Sequence, residues 1–162
     1  MIAVKTMKKK TNKPAATNGS SVVANLNQLL ASTYSLMANT QFAHWNVEGP
    51  EFFTLHGAFQ MHYENLFAAV DELAERIRAL DAYTIGGLST FSKRAGFAEL
   101  STARTARDYV AALIGAHEKV VADAVALRDA SGAANDQETQ DIAIGRIQWH
   151  EKTIWMLKSF LK

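Results

Sequence analysis

A chain of 162 residues, 48% apolar and 20% charged, has the length for one domain with a sizeable core and the composition of an ordinary globular protein. It holds no cysteine, which excludes disulfides, thiolate catalysis and sulfur-ligated zinc, and no apolar run approaches the ~18 residues that cross a bilayer. The formal charge of +1 conceals an asymmetry: without Lys5, Lys8, Lys9, Lys10 and Lys13, 12 Lys and Arg face 16 Asp and Glu, a balance of −4 for the remainder.

Residues 1–19 carry those five lysines and no acid. The basic start is followed by polar TNKPAATNGSS, where a secretory signal has its apolar stretch, so a cytoplasmic protein is expected. The segment is rich in Lys, Thr, Asn and Ala and lacks the apolar residues to fold alone, so it reads as a lysine-rich arm ahead of a folded unit at 20–162. As a phosphate-binding tether, its grip on nucleic acid would fall steeply with salt. No aromatic interleaves the lysines, so base stacking is not indicated.

Four long helices are predicted beyond it. Ser20 or Ser21 is a plausible N-cap, and Leu26, Leu29, Thr33, Met37, Thr40 and His44 keep the 3-4 spacing of one helical face up to Gly49-Pro50. The second helix steps through His56, Phe59, Tyr63, Leu66, Val70, Leu73, Ile77 and Leu80, the seam of a bundle. A connection from Asp81 to Leu100 follows. Ser101 or Thr102 can then cap a third helix through Tyr109, Leu113, Ala116, Val120 and Leu127, closed by Gly132, and Asn135 with Glu138 resembles a capping box opening a fourth through Ile147, Ile154, Leu157 and Leu161. Rods of equal length, about 40 Å at 1.5 Å per residue, pack side by side. The first and last connections are short and make antiparallel pairs, whereas the middle one can return along the bundle. The expected fold is all-α, a ferritin-like four-helix bundle with a short helix in the crossover between the second and third long helices.

The stretch AHWNVEGPEFFTLHG sets two histidines twelve positions apart around a Gly-Pro turn. On the second helix Asp71 and Glu75 stand one turn apart, outside the seam, where a cation can bridge them. His56 lies about 22 Å along the helix from Asp71 and about 28 Å from Glu75, so no ion with bonds near 2 Å joins them within one chain. The Glu-x-x-His pairs of an internal di-iron site are also missing. An isologous dimer removes the difficulty. If two second helices run antiparallel about a twofold axis near Glu64 and Asn65, His56 of one subunit faces Asp71 and Glu75 of the other, and His44 adds a second imidazole. Two nitrogens and two carboxylates suit Fe(II) and, less selectively, Zn(II) or Co(II).

HWNVEGPEFFTLHGAF, DELAERIRALD and HEKTIWML, in this order and spacing, resemble the Dps family, ferritin-like proteins that protect DNA in starved bacteria. The likeness covers residues 21–162. It implies a hollow dodecamer with ferroxidase sites at twofold interfaces, in which Fe(II) is oxidised to Fe(III), preferably by hydrogen peroxide, otherwise by dioxygen, and stored as mineral. Carried over by position, His44 and His56 are the ligands from one subunit and Asp71 and Glu75 those from its neighbour, with Trp45 beside the site. The family often has an acid where this chain has Gln60, and a neutral amide is a poor iron ligand. Asp136, Glu138 and Asp141 would line an acidic threefold pore; their other reading is as acids on a helix dipole. Lysine-rich N-termini in the family are associated with DNA binding, implying a nucleoid-associated particle. The second reading is a nucleoid-binding architectural particle with weak or absent ferroxidase activity. His62, His117 and His150 are read as structural.

Overall fold

The computed structural model describes residues 18–162; the five arm lysines lie outside the described residues. Five helices follow in order: α1 (Asn18–Asn46), α2 (Phe52–Ala79), α3 (Leu88–Ala95), α4 (Ala106–Ala133) and α5 (Gln137–Phe160). The four long ones form the bundle and α3 is the short helix of the crossover, as expected. α1 packs on α2, α3 and α4, and α4 packs on α5.

The bundle closes around Leu26, Leu29, Leu36, Phe59, Leu66, Leu73, Ile77, Tyr109, Leu113, Val120 and Leu127, all at most 1% exposed. On α2 the buried stripe runs through Leu55, Phe59, His62, Leu66, Ala69, Leu73 and Ile77. It is turned slightly from the expected seam: Tyr63, Val70 and Leu80 sit at its edge, partly buried. A heptad written from large apolar residues overlooks Ala69 and His62, which are also buried.

The helix starts also differ from expectation. Ser20 and Ser21 lie inside α1, which includes Asn18 and Gly19. α4 is capped by Thr105, whose hydroxyl accepts from the Asp108 amide, and not by Ser101 or Thr102. α5 is capped by Asp136, accepting from the Thr139 amide, whereas Asn135 takes the left-handed turn before it at φ 55°. Asn tolerates that conformation at low cost, which frees the next acid to cap.

The crossover is stapled to α1 by buried amides. Asn39 Nδ2 donates to the Ala98 carbonyl at 3.0 Å and its Oδ1 accepts from the Leu100 amide at 2.9 Å. Asn27 Oδ1 accepts from the Ile85 amide at 2.8 Å, and Tyr34 stacks on Phe91 with centroids 4.6 Å apart. An irregular segment leaves backbone groups that need partners, and side chains of α1 supply them.

Candidate metal centre

The α1–α2 turn builds the first half of a site. The Val47 amide continues the ladder of α1 to the Ala43 carbonyl at 2.9 Å, Gly49 turns the chain at φ 106°, and the Phe52 amide returns to the Gly49 carbonyl at 3.1 Å. Gly suits that φ, and Pro cannot extend a helix from the next position. α2 therefore doubles back at once and sets its first turn against the last turn of α1.

There the two imidazoles lock each other. His44 Nδ1–H donates to the His56 carbonyl and His56 Nδ1–H donates to the His44 carbonyl, each at 2.9 Å. The rings stack with centroids 3.7 Å apart and planes 21° from parallel, flanked by Phe52 and Tyr63. A carbonyl can only accept, so both Nδ1 atoms carry protons, and both Nε2 atoms keep a lone pair with no hydrogen-bond partner among the described residues. The backbone thus fixes the tautomer that keeps the Nε2 lone pair, the arrangement usual for metal-ligating histidine.

The acids stand apart from this pair within one chain. Asp71 and Glu75 are exposed on the outward face of α2, with Phe53, Met61 and Phe67 also exposed along that helix at 87%, 62% and 67%. Among the described residues, no three His, Asp or Glu side chains of one chain converge as a metal group. Trp45, next to His44, is 68% exposed. Gln60 Nε2 donates to Glu64 Oε1 at 2.8 Å, so the carbonyl oxygen is what the Gln60 amide has left to offer a cation.

At the start of α5, Glu138 and Asp141 are exposed, but Asp136 is engaged in its own chain. Its Oδ1 receives the Thr139 amide at 3.0 Å and Arg76 Nη2 at 2.7 Å, and its Oδ2 receives the Thr139 hydroxyl at 2.6 Å. Burial pushes its pKa upward, but the Thr139 bonds and the Arg76 charge outweigh that and hold the carboxyl below its ordinary value.

The other three histidines form a second, internal group that sequence reasoning did not assemble. His62 of α2, His117 of α4 and His150 of α5 are buried together with Arg146, and Trp149 packs among them. They are far apart in the chain and on three helices; only the spacing of His62, three residues after Phe59 and four before Leu66, hinted that it faces inward.

The Ferritin-like domain family matches residues 23–162. A low-temperature-induced protein of Nostoc sp. is 38% identical over 143 residues, covering 87% of this chain and 80% of its own. A DNA protection during starvation protein of Brevibacillus brevis is 31% identical over 137 residues, covering 85% of this chain and 92% of its own. The chain belongs to the Dps family of ferritin-like proteins. A solved Dps structure from Vibrio cholerae O1, described as a member of a broad superfamily of ferritin-like diiron-carboxylate proteins, superposes with a TM-score of 0.86 at 30% identity, covering 97% of this chain and 100% of that one. Dps membership accounts for the bundle with its crossover helix. No described helix is long and apolar enough to cross a membrane.

Proposed function

We propose that this Dps-family chain is a ferroxidase that stores iron and protects DNA, with its oxidation site shared between two subunits. The observation that carries the reading is the reciprocal hydrogen bonding of His44 and His56, which presents two unprotonated Nε2 atoms side by side. Two antiparallel copies of α2 about an axis near Glu64 and Asn65 bring Asp71 and Glu75 of the partner subunit to those nitrogens. The exposed Phe53, Met61 and Phe67 support this pairing, because they give the same face an apolar reason to be covered.

Iron is the substrate. Two Fe(II) ions give one electron each to hydrogen peroxide, whose O–O bond breaks; with two protons taken up, two waters leave and two Fe(III) remain. Taking both electrons in one event avoids the hydroxyl radical that a single transfer releases. Dioxygen is the alternative oxidant. The imidazoles bind as neutral donors, the carboxylates balance the cationic charge, and Gln60 offers only an uncharged oxygen, so a second iron is held weakly. Twelve subunits would enclose the mineral. Glu138 and Asp141, with Asp136 tied to Arg76, line an acidic entry pore in this reading. Arms bearing Lys5, Lys8, Lys9, Lys10 and Lys13 tether the particle to DNA by many weak phosphate contacts, giving a cytoplasmic, nucleoid-associated assembly.

The test is peroxide added to the Fe(II)-loaded protein, followed by the near-ultraviolet absorbance of the ferric product. Fast oxidation in the wild type and none above background in a folded His44→Ala/His56→Ala variant is expected; equal rates in both refute the site. Removing residues 1–13 is expected to abolish salt-sensitive DNA retardation and to leave iron oxidation unchanged.

A further inference from the structure

The internal histidine group takes no part in the proposed iron chemistry, yet its polar atoms are unusually constrained. Arg146 Nη2 has only protons to give, so His150 Nε2 accepts from it at 3.1 Å. Neutral His150 then carries its proton on Nδ1, which donates to His117 Nδ1 at 2.8 Å. His117 in turn carries its proton on Nε2. That N–H is buried without a protein partner, as are Arg146 Nε–H and His62 Nδ1. Their residues are 0%, 7% and 6% exposed. The three are neighbours: the His62 and His117 rings are 6.1 Å apart, both lie within 6 Å of the Trp149 ring, and Arg146 Cζ is 4.7 Å above that same ring.

Among the described residues Arg146 is also a buried cation without an anion. Its partners are the neutral Asn65 Oδ1 at 2.9 Å, the neutral His150 and the face of Trp149. Glu72 is exposed, acts on it at a distance and makes no ion pair with it. Buried charges are ordinarily paired, and buried N–H groups ordinarily find an acceptor. A metal ion does not answer these needs. To bind it, His117 Nε2 would have to give up its proton to Nδ1, which reverses the chain and drives an N–H of His150 against Arg146.

We propose that the bundle core binds one small monovalent anion of about the size of chloride, held by His117 Nε2–H and Arg146 Nε–H, with His62 donating from Nδ1. A water molecule satisfies the same atoms but leaves the guanidinium charge unbalanced in the interior. The anion does both. It ties α2, α4 and α5 together and makes the stability of the subunit depend on halide.

Crystals of the full chain grown in bromide in place of chloride test this directly. One anomalous bromide peak per subunit is expected in contact with His117 Nε2 and Arg146 Nε; oxygen-sized density there, or nothing, overturns the proposal. In solution, chloride is expected to raise the thermal midpoint of the wild type by several degrees over gluconate at equal ionic strength, and His117→Phe to lose that difference. If His117→Phe does not fold, His62→Leu is read in its place and is expected to shrink it. A chloride effect of the same size in the folded variant also overturns the proposal.

Discussion

Two groups of histidines in one small chain show how the partner of a ring nitrogen decides what the residue can do. His44 and His56 give their protons to backbone carbonyls at the turn between α1 and α2. The main chain cannot move its acceptors, so the remaining nitrogens are left as lone pairs. Inside the bundle the chain of donors runs the other way, from Arg146 to His150 and from His150 to His117, whose own Nε2–H is left without a partner among the described residues. Burial, the largest cause, lowers His62 to about 4 and His117 to about 3, with the His62 and Arg146 charges adding to the fall of His117. His150 is pushed well below its ordinary value, mainly by burial and then by His117, Arg146 and His62. In the proposed reading the first group meets a partner subunit, whereas the second links residues of three helices within one chain.

The largest expected effect removes the first group alone. In His44→Ala/His56→Ala, peroxide-driven Fe(II) oxidation falls to the uncatalysed rate, while the circular dichroism and thermal midpoint stay close to wild type because both rings are at the end of the bundle. A rate within a few fold of wild type contradicts the distinction. Next, Phe67→Asp places a charge on the exposed apolar face of α2, and the pairing of subunits is expected to weaken by about 2 kcal/mol or more, as for a central contact residue. Sedimentation would show smaller species with folded helices, and oxidation would fall with assembly.

Acid should act on the second group first. The unfolded chain takes up protons on these histidines near pH 6.5, whereas folded His62 and His117 resist until about 4 and about 3. The unfolded state therefore binds more protons between those limits, so stability is full above pH 6.5 and falls as the pH drops, by up to roughly 1.4 kcal/mol per pH unit for each histidine. Thermal midpoints measured from pH 7 to pH 4 in halide-free buffer should decline over that window, and His62→Leu should flatten the decline. No decline at all would mean that the internal histidines are not held neutral. The smallest effect is a gain: Gln60→Asp gives the surface site one more carboxylate and is expected to raise iron bound per site, read by titration, with little change in the acid profile.

Much of the fold was legible because periodicity in long helices is a strong signal, and the Gly49-Pro50 turn and the matched helix lengths fixed the order of the rods. Cap residues were harder, since Ser101, Thr102 and Thr105 are alike as sequence, and only the folded backbone shows that the Thr105 hydroxyl is the one that meets an open amide, that of Asp108. For the surface site, the chain distances excluded a single-subunit centre, and the structure keeps Asp71 and Glu75 on the outward face of α2. What no pattern revealed is the reciprocal carbonyl bonding of His44 and His56, which depends on two helix ends meeting in space. The internal group was invisible for a similar reason: His62, His117 and His150 stand 33 or more positions from one another in the chain, His117 and His150 being bonded at a separation of 33.

The most direct measurement is a crystal of the assembled protein soaked in Fe(II) and examined at the iron absorption edge. Iron bound to Nε2 of His44 and His56 from one subunit, and to the carboxylates of Asp71 and Glu75 of the partner subunit, is the predicted result. Iron at some other place, or those acids lying well beyond bonding distance from the imidazoles at every contact between copies, would contradict it.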